Sequence, residues 1–131
     1  KFGKYDFMKE THQLLKKVFG YDSFRPYQEE IIEHVLAKKD ALVLMPTGGG
    51  KSICFQIPAL MLEGVTMVIS PLISLMKDQV ESLLANGVEA GFINSSQSES
   101  QKNEILRKAR NKELKILYVS RKQWFQEFIR G

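Results

Sequence analysis

A run of apolar residues from Ala41 to Met45 breaks at Pro46-Thr47-Gly48-Gly49-Gly50 and is followed by Lys51-Ser52 at the head of a helical pattern. That order of residue types suits a polyphosphate. Glycines let backbone N–H groups turn toward an anion with no Cβ in the way. The helix that follows aims its free N–H groups and the positive end of its dipole at the same point. Lys51 can reach β- and γ-phosphates as a mobile positive charge, and the Ser52 hydroxyl can ligand Mg²⁺. The strict P-loop pattern G-x-x-x-x-G-K-[ST] is not met, because Met45 stands where its first glycine belongs. The plainer alternative is a glycine-rich turn that happens to precede Lys-Ser. Three consecutive glycines between an apolar run and a helix favour a nucleotide site.

The elements that must position this loop follow from periodicity. Leu14, Leu15, Val18 and Phe19 have helical spacing in a helix expected from Asp6 to Phe19, with Gly20 as its stop. A second helix carries Ile31, Ile32, Val35 and Leu36, with Asp22 or Ser23 as its cap, Pro26 in its first turn and Lys38 and Lys39 near its end. It leads directly into the strand before the glycines. The helix opened by Lys51 extends to about Leu62, and Pro58 is expected to kink it. Val65 to Ser70 is a continuous apolar run, as in a strand buried on both faces. A helix from Ile73 to Asn86 carries Leu75, Met76, Val80, Leu83 and Leu84 at helical spacing, with Gly87 beyond it. Next come a short strand at 89–93, a polar loop at 94–98, a helix from Glu99 to Arg110 and a strand at 114–120. Trp124, Phe125, Phe128 and Ile129 then share one helical face. Strands alternating with helices indicate an α/β fold with a mostly parallel sheet, the loop lying at its carboxyl edge.

The bulk numbers set limits. The 131 residues suit one domain or part of one, and 44% hydrophobic with 26% charged residues is ordinary for a soluble globular chain. A net charge of +4 permits a polyanionic partner without establishing one. Cys54 is the single cysteine and suits a small core residue; no intrachain disulfide is possible, which fits a reducing compartment. No apolar run approaches the length of a membrane span, so no membrane partner is expected. His12 and His34 have no ligand-spaced partners, and the six basic residues between Lys102 and Lys115 are most simply a solvated helix face.

Three stretches, in order, resemble the RecQ family of ATP-dependent DNA helicases. Phe19-Gly20-Tyr21-x-x-Phe24-Arg25-x-x-Gln28 is similar to its adenine-recognition motif, and Met45-Pro46-Thr47-Gly48-Gly49-Gly50-Lys51-Ser52 to its Walker A motif. Ser70-Pro71-Leu72-Ile73-Ser74-Leu75-Met76-Lys77-Asp78-Gln79 is similar to motif Ia, and Ile93-Asn94-Ser95-Ser96 to motif Ib. The resemblance implies a three-layer RecA-like P-loop NTPase fold, incomplete at its C-terminal side. Helices at 6–39, a P-loop core at 40–120 and a tail at 121–131 would form part of the first motor domain. It implies ATP and Mg²⁺ as cofactors, with Lys51 and Ser52 as catalytic residues and Ser52 as the Mg²⁺ ligand. Tyr21, Arg25 and Gln28 would select adenine, since its edge asks for an in-plane amide and its face for an aromatic or guanidinium plane. The alternative leaves Tyr21 and Phe24 in the core and Arg25 in solvent. Ser70, Ser74, Asn94, Ser95 and Ser96 would grip single-stranded DNA through its backbone; otherwise they are caps and turn residues.

The implied activity is 3′–5′ unwinding of duplex DNA in recombination and repair, in the bacterial cytoplasm at the nucleoid or in a eukaryotic nucleus. The family hydrolyses ATP with an Asp-Glu-x-His sequence, which these 131 residues do not contain, and it has Pro-Glu where Arg121-Lys122 stand. The chain is therefore expected to be a fragment that binds nucleotide at most. Its truncated sheet would invite self-association. A non-enzymatic nucleotide- or DNA-binding module and another kind of P-loop NTPase are the alternatives.

Overall fold

The computed structural model describes residues 4–37, 51–70 and 73–130. The chain divides into two compact units, Lys1–Glu63 and Gly64–Gly131. The Ala41–Gly50 stretch, with the expected strand and glycine loop, lies outside the described residues, as do Lys38 and Lys39.

The first unit has three described helices, α1 (Lys4–Phe19), α2 (Gln28–Leu36) and α3 (Lys51–Met61). Leu15, Ile32, Ile53 and Ile57 form its buried cluster, with Leu14, Phe19, Phe24, Leu36 and Met61 packed around it. Each helix contributes residues three or four apart, so one face of each is apolar. Gly20 ends α1 in the left-handed region at φ 79°, as a helix-stopping glycine should. One expectation fails here. The α2 helix has no side-chain cap, and its N-cap position is Tyr27 at φ 74°. Asp22 is instead held by Lys16, with Nζ 2.6 Å from Oδ1, several residues before α2 begins. Pro26 precedes the helix rather than entering its first turn. The α3 helix contains Pro58 and is assigned as one helix through it. Proline removes only its own N–H from the ladder, and Leu62 N–H still donates to the Pro58 carbonyl at 2.9 Å.

The second unit follows strand–helix alternation: β1 (Thr66–Ser70), α4 (Ile73–Ala85), β2 (Ala90–Ile93), α5 (Glu99–Arg110), β3 (Ile116–Ser120), then α6 (Arg121–Trp124) and a π-helical segment, Phe125–Arg130. The strands form a parallel sheet in the order β1-β3-β2. The chain thus has the expected α/β character with parallel pairing. Ile93, Leu106, Leu114, Leu117 and Val119 are the buried cluster, with Ile105 and Trp124 packed against it. Gly91 lets α5 come close: a Cβ there would lie 3.1 Å from Ile105 Cδ1 and 3.2 Å from Leu114 Cδ1. Gly87, at φ 85°, closes α4 with the Val88 N–H on the Leu83 carbonyl at 2.9 Å.

Central β3 is buried at every position, but β1 is not. Met67 and Ile69 are exposed, Ile69 by 45%, while Thr66, Val68 and Ser70 are half-buried. Among the described residues β1 is an edge strand whose side chains alternate between a covered and an open face, not one buried on both. Helical spacing does not by itself mean burial. Leu75 and Leu84 of α4 point to solvent, and only Met76, Val80 and Leu83 are buried. In the tail Trp124 is half-buried while Phe125 and Ile129 are exposed, because the wider π-helical winding does not keep a 3.6-residue stripe together.

Candidate functional site

The 20–28 turn separates the aromatic and polar residues that the sequence grouped together. Phe24 sits inward, on the first unit's cluster, with its ring edge-to-face against His12 at 4.9 Å. His12 Nε2 in turn lies 3.0 Å from Glu29 Oε2. Tyr21 and Arg25 stay exposed. Gln28, the first residue of α2, is 2% exposed. Its Oε1 accepts the Arg25 backbone N–H at 2.7 Å, while its own N–H donates to the Arg25 carbonyl at 3.1 Å. These reciprocal bonds close the turn and hold the buried Gln28 amide against its backbone. The core alternative therefore holds for Phe24 and not for Tyr21.

Met45, Pro46, Thr47, Gly48, Gly49 and Gly50 lie outside the described residues. Lys51 and Ser52 are the first two residues of α3, with Ser52 half-buried. One turn on, Cys54 is buried, and that burial pushes its thiol pKa up, making it a packing residue rather than a reactive one. Among the described residues no group of three or more His, Cys, Asp or Glu side chains could hold a metal. Magnesium held through a phosphate and one hydroxyl would not need such a group. A serine in a helix's first turn, next to a lysine, has the donor chemistry for that role.

The second unit gathers the other polar residues at one edge of its sheet. The strands are parallel, so their carboxyl ends lie together: Ser70 is in register with Ser120, and Ile93 with Val119. Ser70 ends β1 half-buried, and Ser74 is exposed in the first turn of α4. Asn94, Ser95 and Ser96 follow β2. Ser95 and Ser96 are exposed, but Asn94 is 1% exposed. Asn94 Oδ1 accepts the Ser96 backbone N–H at 2.8 Å and also the Ser96 hydroxyl, while Nδ2 faces Met76 Sδ at 3.9 Å. In this conformation Asn94 builds the turn that displays its neighbours, and a direct backbone grip by its amide is not available.

Several contributors here escaped sequence reasoning. Gln97 accepts the Asn94 N–H at 3.0 Å and donates to the Phe92 carbonyl at 2.9 Å, locking the turn from below. Ser98 and Gln101 form a capping box at the head of α5. The Ser-x-x-Gln spacing was a readable signal for it. Buried Tyr118 donates its hydroxyl to Gln79 Oε1 at 2.5 Å, tying α4 to the central strand. Nothing in the local sequence announces that pair, since 39 residues separate its members.

Residues 25–130 match a family profile described as DEAD/DEAH box helicase. The ATP-dependent DNA helicase RecQ of Pasteurella multocida is 59% identical over 107 residues, which is 82% of this chain and 17% of that protein. The protein of the same name from Haemophilus influenzae is 60% identical over 107 residues, again 82% of the chain and 17% of the relative. That of Bacillus subtilis is 49% identical over 122 residues, 92% of the chain and 21% of the relative. The chain thus spans about a fifth of the length of these relatives.

Proposed function

The chain belongs to the DEAD/DEAH box helicase family, and we propose that it is the nucleotide-gripping part of an ATP-dependent DNA helicase of the RecQ type, with a RecA-like α/β core. The observation that carries this reading is the family match over 25–130, which contains Arg25 and Gln28, Gly48–Ser52, Ser70 and Ser74, and Ser95 and Ser96. Adenine would stack on Tyr21 or Arg25, both exposed at the turn that the buried Gln28 amide holds through the Arg25 N–H. Backbone N–H groups of Gly48, Gly49 and Gly50 would cradle the phosphates, and Lys51 would neutralise their charge. The Ser52 hydroxyl would hold the magnesium that accompanies ATP, a cation that would supply charge neutralisation at the phosphates. Ser70, Ser74, Ser95 and Ser96 would hydrogen-bond the phosphates of one DNA strand without reading its bases, as a motor moving 3′ to 5′ requires. Asn94 would act on DNA only through the turn it builds.

The 131-residue piece carries these groups without the Asp-Glu-x-His carboxylates, so it is expected to bind ATP and not turn it over. Competition binding with a fluorescent ATP analogue tests the reading. ATP should displace the probe better than GTP. Gln28→Ala should narrow that preference, and Lys51→Ala should weaken both nucleotides about tenfold or more. Equal displacement by GTP would refute adenine selection and leave a P-loop protein of another kind.

A further inference from the structure

The residues proposed to take adenine sit on two different elements. Tyr21 rides on the end of α1: its N–H donates to the Leu15 carbonyl at 3.2 Å, and the Gly20 N–H to the Lys16 carbonyl at 3.0 Å. Arg25 and Gln28 belong to the turn that opens α2, closed on each other as described above. Groups on separate elements can receive one base only where something fixes the distance between those elements. The Lys16–Asp22 pair reaches just one residue past Tyr21 and so does not span the gap.

His12 does span it. On α1 its neighbour Thr11 and, one turn on, Leu15 are both buried, so the helix is seated firmly there. From that seat the imidazole meets the turn on both sides of the Arg25–Gln28 bond. Its ring stands edge-to-face to Phe24, with centroids 4.9 Å apart, and its Nε2 lies 3.0 Å from Glu29 Oε2. Phe24 directly precedes Arg25, and Glu29 directly follows Gln28. A carboxylate only accepts, so Nε2 is the donor. Phe24 packs in turn on the first unit's buried cluster, which backs the ring contact from the core side.

We propose that His12 is a positioning residue for base selection: it touches no nucleotide, but holds the Arg25–Gln28 turn at the distance from Tyr21 that one adenine requires. Imidazole suits this task. An aliphatic side chain would pack on Phe24 and leave Glu29 unheld. A lysine would reach Glu29 on a longer, looser stem and give Phe24 no ring edge. This role rests on the reading that Tyr21, Arg25 and Gln28 receive adenine, and it adds a residue from outside that set. A side chain that merely braced two helices would matter equally for every ligand of this unit, and that difference is measurable.

The test displaces a fluorescent ATP analogue from the 131-residue chain with ATP, GTP or inorganic tripolyphosphate, in the presence of magnesium. Tripolyphosphate reads the phosphate loop without a base. His12→Ala should cut the ATP-over-GTP preference about fivefold, roughly what one net hydrogen bond is worth, and leave tripolyphosphate displacement within about twofold of wild type. His12→Gln, whose amide N–H can reach where Nε2 stood, should recover most of the preference. Glu29→Ala should lose as much as His12→Ala, and the double variant no more than either alone. If His12→Ala weakens ATP, GTP and tripolyphosphate alike, the side chain only supports the fold and the positioning role is overturned. It is overturned equally if the two single losses add in the double variant, since the residues then do not act through one bond. If wild type prefers ATP and His12→Ala keeps that preference, His12 has no such role while adenine selection stands. If wild type does not bind the probe, or does not tell ATP from GTP, both readings fail together.

Discussion

Two turns in this chain use the same side-chain device and come out differently. At 25–28 and at 98–101 a glutamine in the first turn of a helix reaches back three residues, and its Oε1 accepts a backbone N–H: Arg25 at 2.7 Å, Ser98 at 2.9 Å. At the second turn the partner replies, since Ser98 Oγ accepts the Gln101 N–H at 3.2 Å. The box is complete, solvent-exposed and unstrained, with Ser98 in extended backbone. At the first turn there is no side-chain reply, the glutamine is buried, and Tyr27 is left-handed although 73% exposed. A bulky residue at positive φ costs about 1–3 kcal/mol. A helix start that serves only to start a helix looks like 98–101. The other keeps strain and a buried amide at the place where adenine is proposed to sit.

The sharpest way to break this contrast is Gln28→Ala, which leaves the Arg25 N–H without its acceptor in a partly buried turn. A loss of about 1–3 kcal/mol is expected by urea denaturation, together with loss of ATP preference. Ser98→Ala removes the reply in the other turn and should cost about 1 kcal/mol, with no effect on nucleotide. Equal effects of the two on nucleotide binding would erase the distinction. Tyr27→Gly should do the opposite to stability. It relieves the left-handed strain and gives up few contacts, for a gain of a few tenths to about 1 kcal/mol after the added freedom of the unfolded glycine. If ATP affinity falls while the urea midpoint rises, the strain is tied to binding. If both stay flat, Tyr27 is not strained in solution.

Local pattern was legible, and its partners were not. Gly20 and Gly87 announced the ends of α1 and α4, and strand–helix alternation gave the parallel second unit. The apolar run at 65–70 marked a strand, but composition does not say which of its faces is covered, so the exposure of Met67 and Ile69 was invisible. Asp22 had the chemistry of a cap, yet Lys16 on the preceding helix holds it, and propensity cannot see that competition. For the site, residue types at Tyr21, Arg25, Gln28, Ser95 and Ser96 were readable from motif spacing. The burial that makes Asn94 a turn-builder depends on Met76 and Ser96 closing over it, which only the folded chain displays.

The smallest expected effect separates the two turns by their ion pairs. Near the first, the Lys16 ammonium, through its hydrogen bond and charge, holds the Asp22 carboxyl below its usual value. On the helix begun at Ser98, Arg107 does the same to Glu104, donating to it at 2.8 and 3.1 Å and to Glu113 at 3.2 Å. A carboxyl depressed in the folded state stabilises it above the ordinary carboxylate range and loses that contribution as pH falls through the depressed value. Acid should therefore weaken both pairs, and because all these groups are exposed and screened, only slightly. The Arg107–Glu104 pair is the larger, with two hydrogen bonds to the one between Lys16 and Asp22. Urea midpoints at pH 6 and pH 3 in low salt should show Arg107→Ala removing more of the acid sensitivity than Lys16→Ala. The same ranking should shrink in concentrated salt. If Lys16→Ala has the greater effect, the turn before α2 is held by its ion pair more than by Gln28, and the contrast drawn from the two glutamines loses its basis.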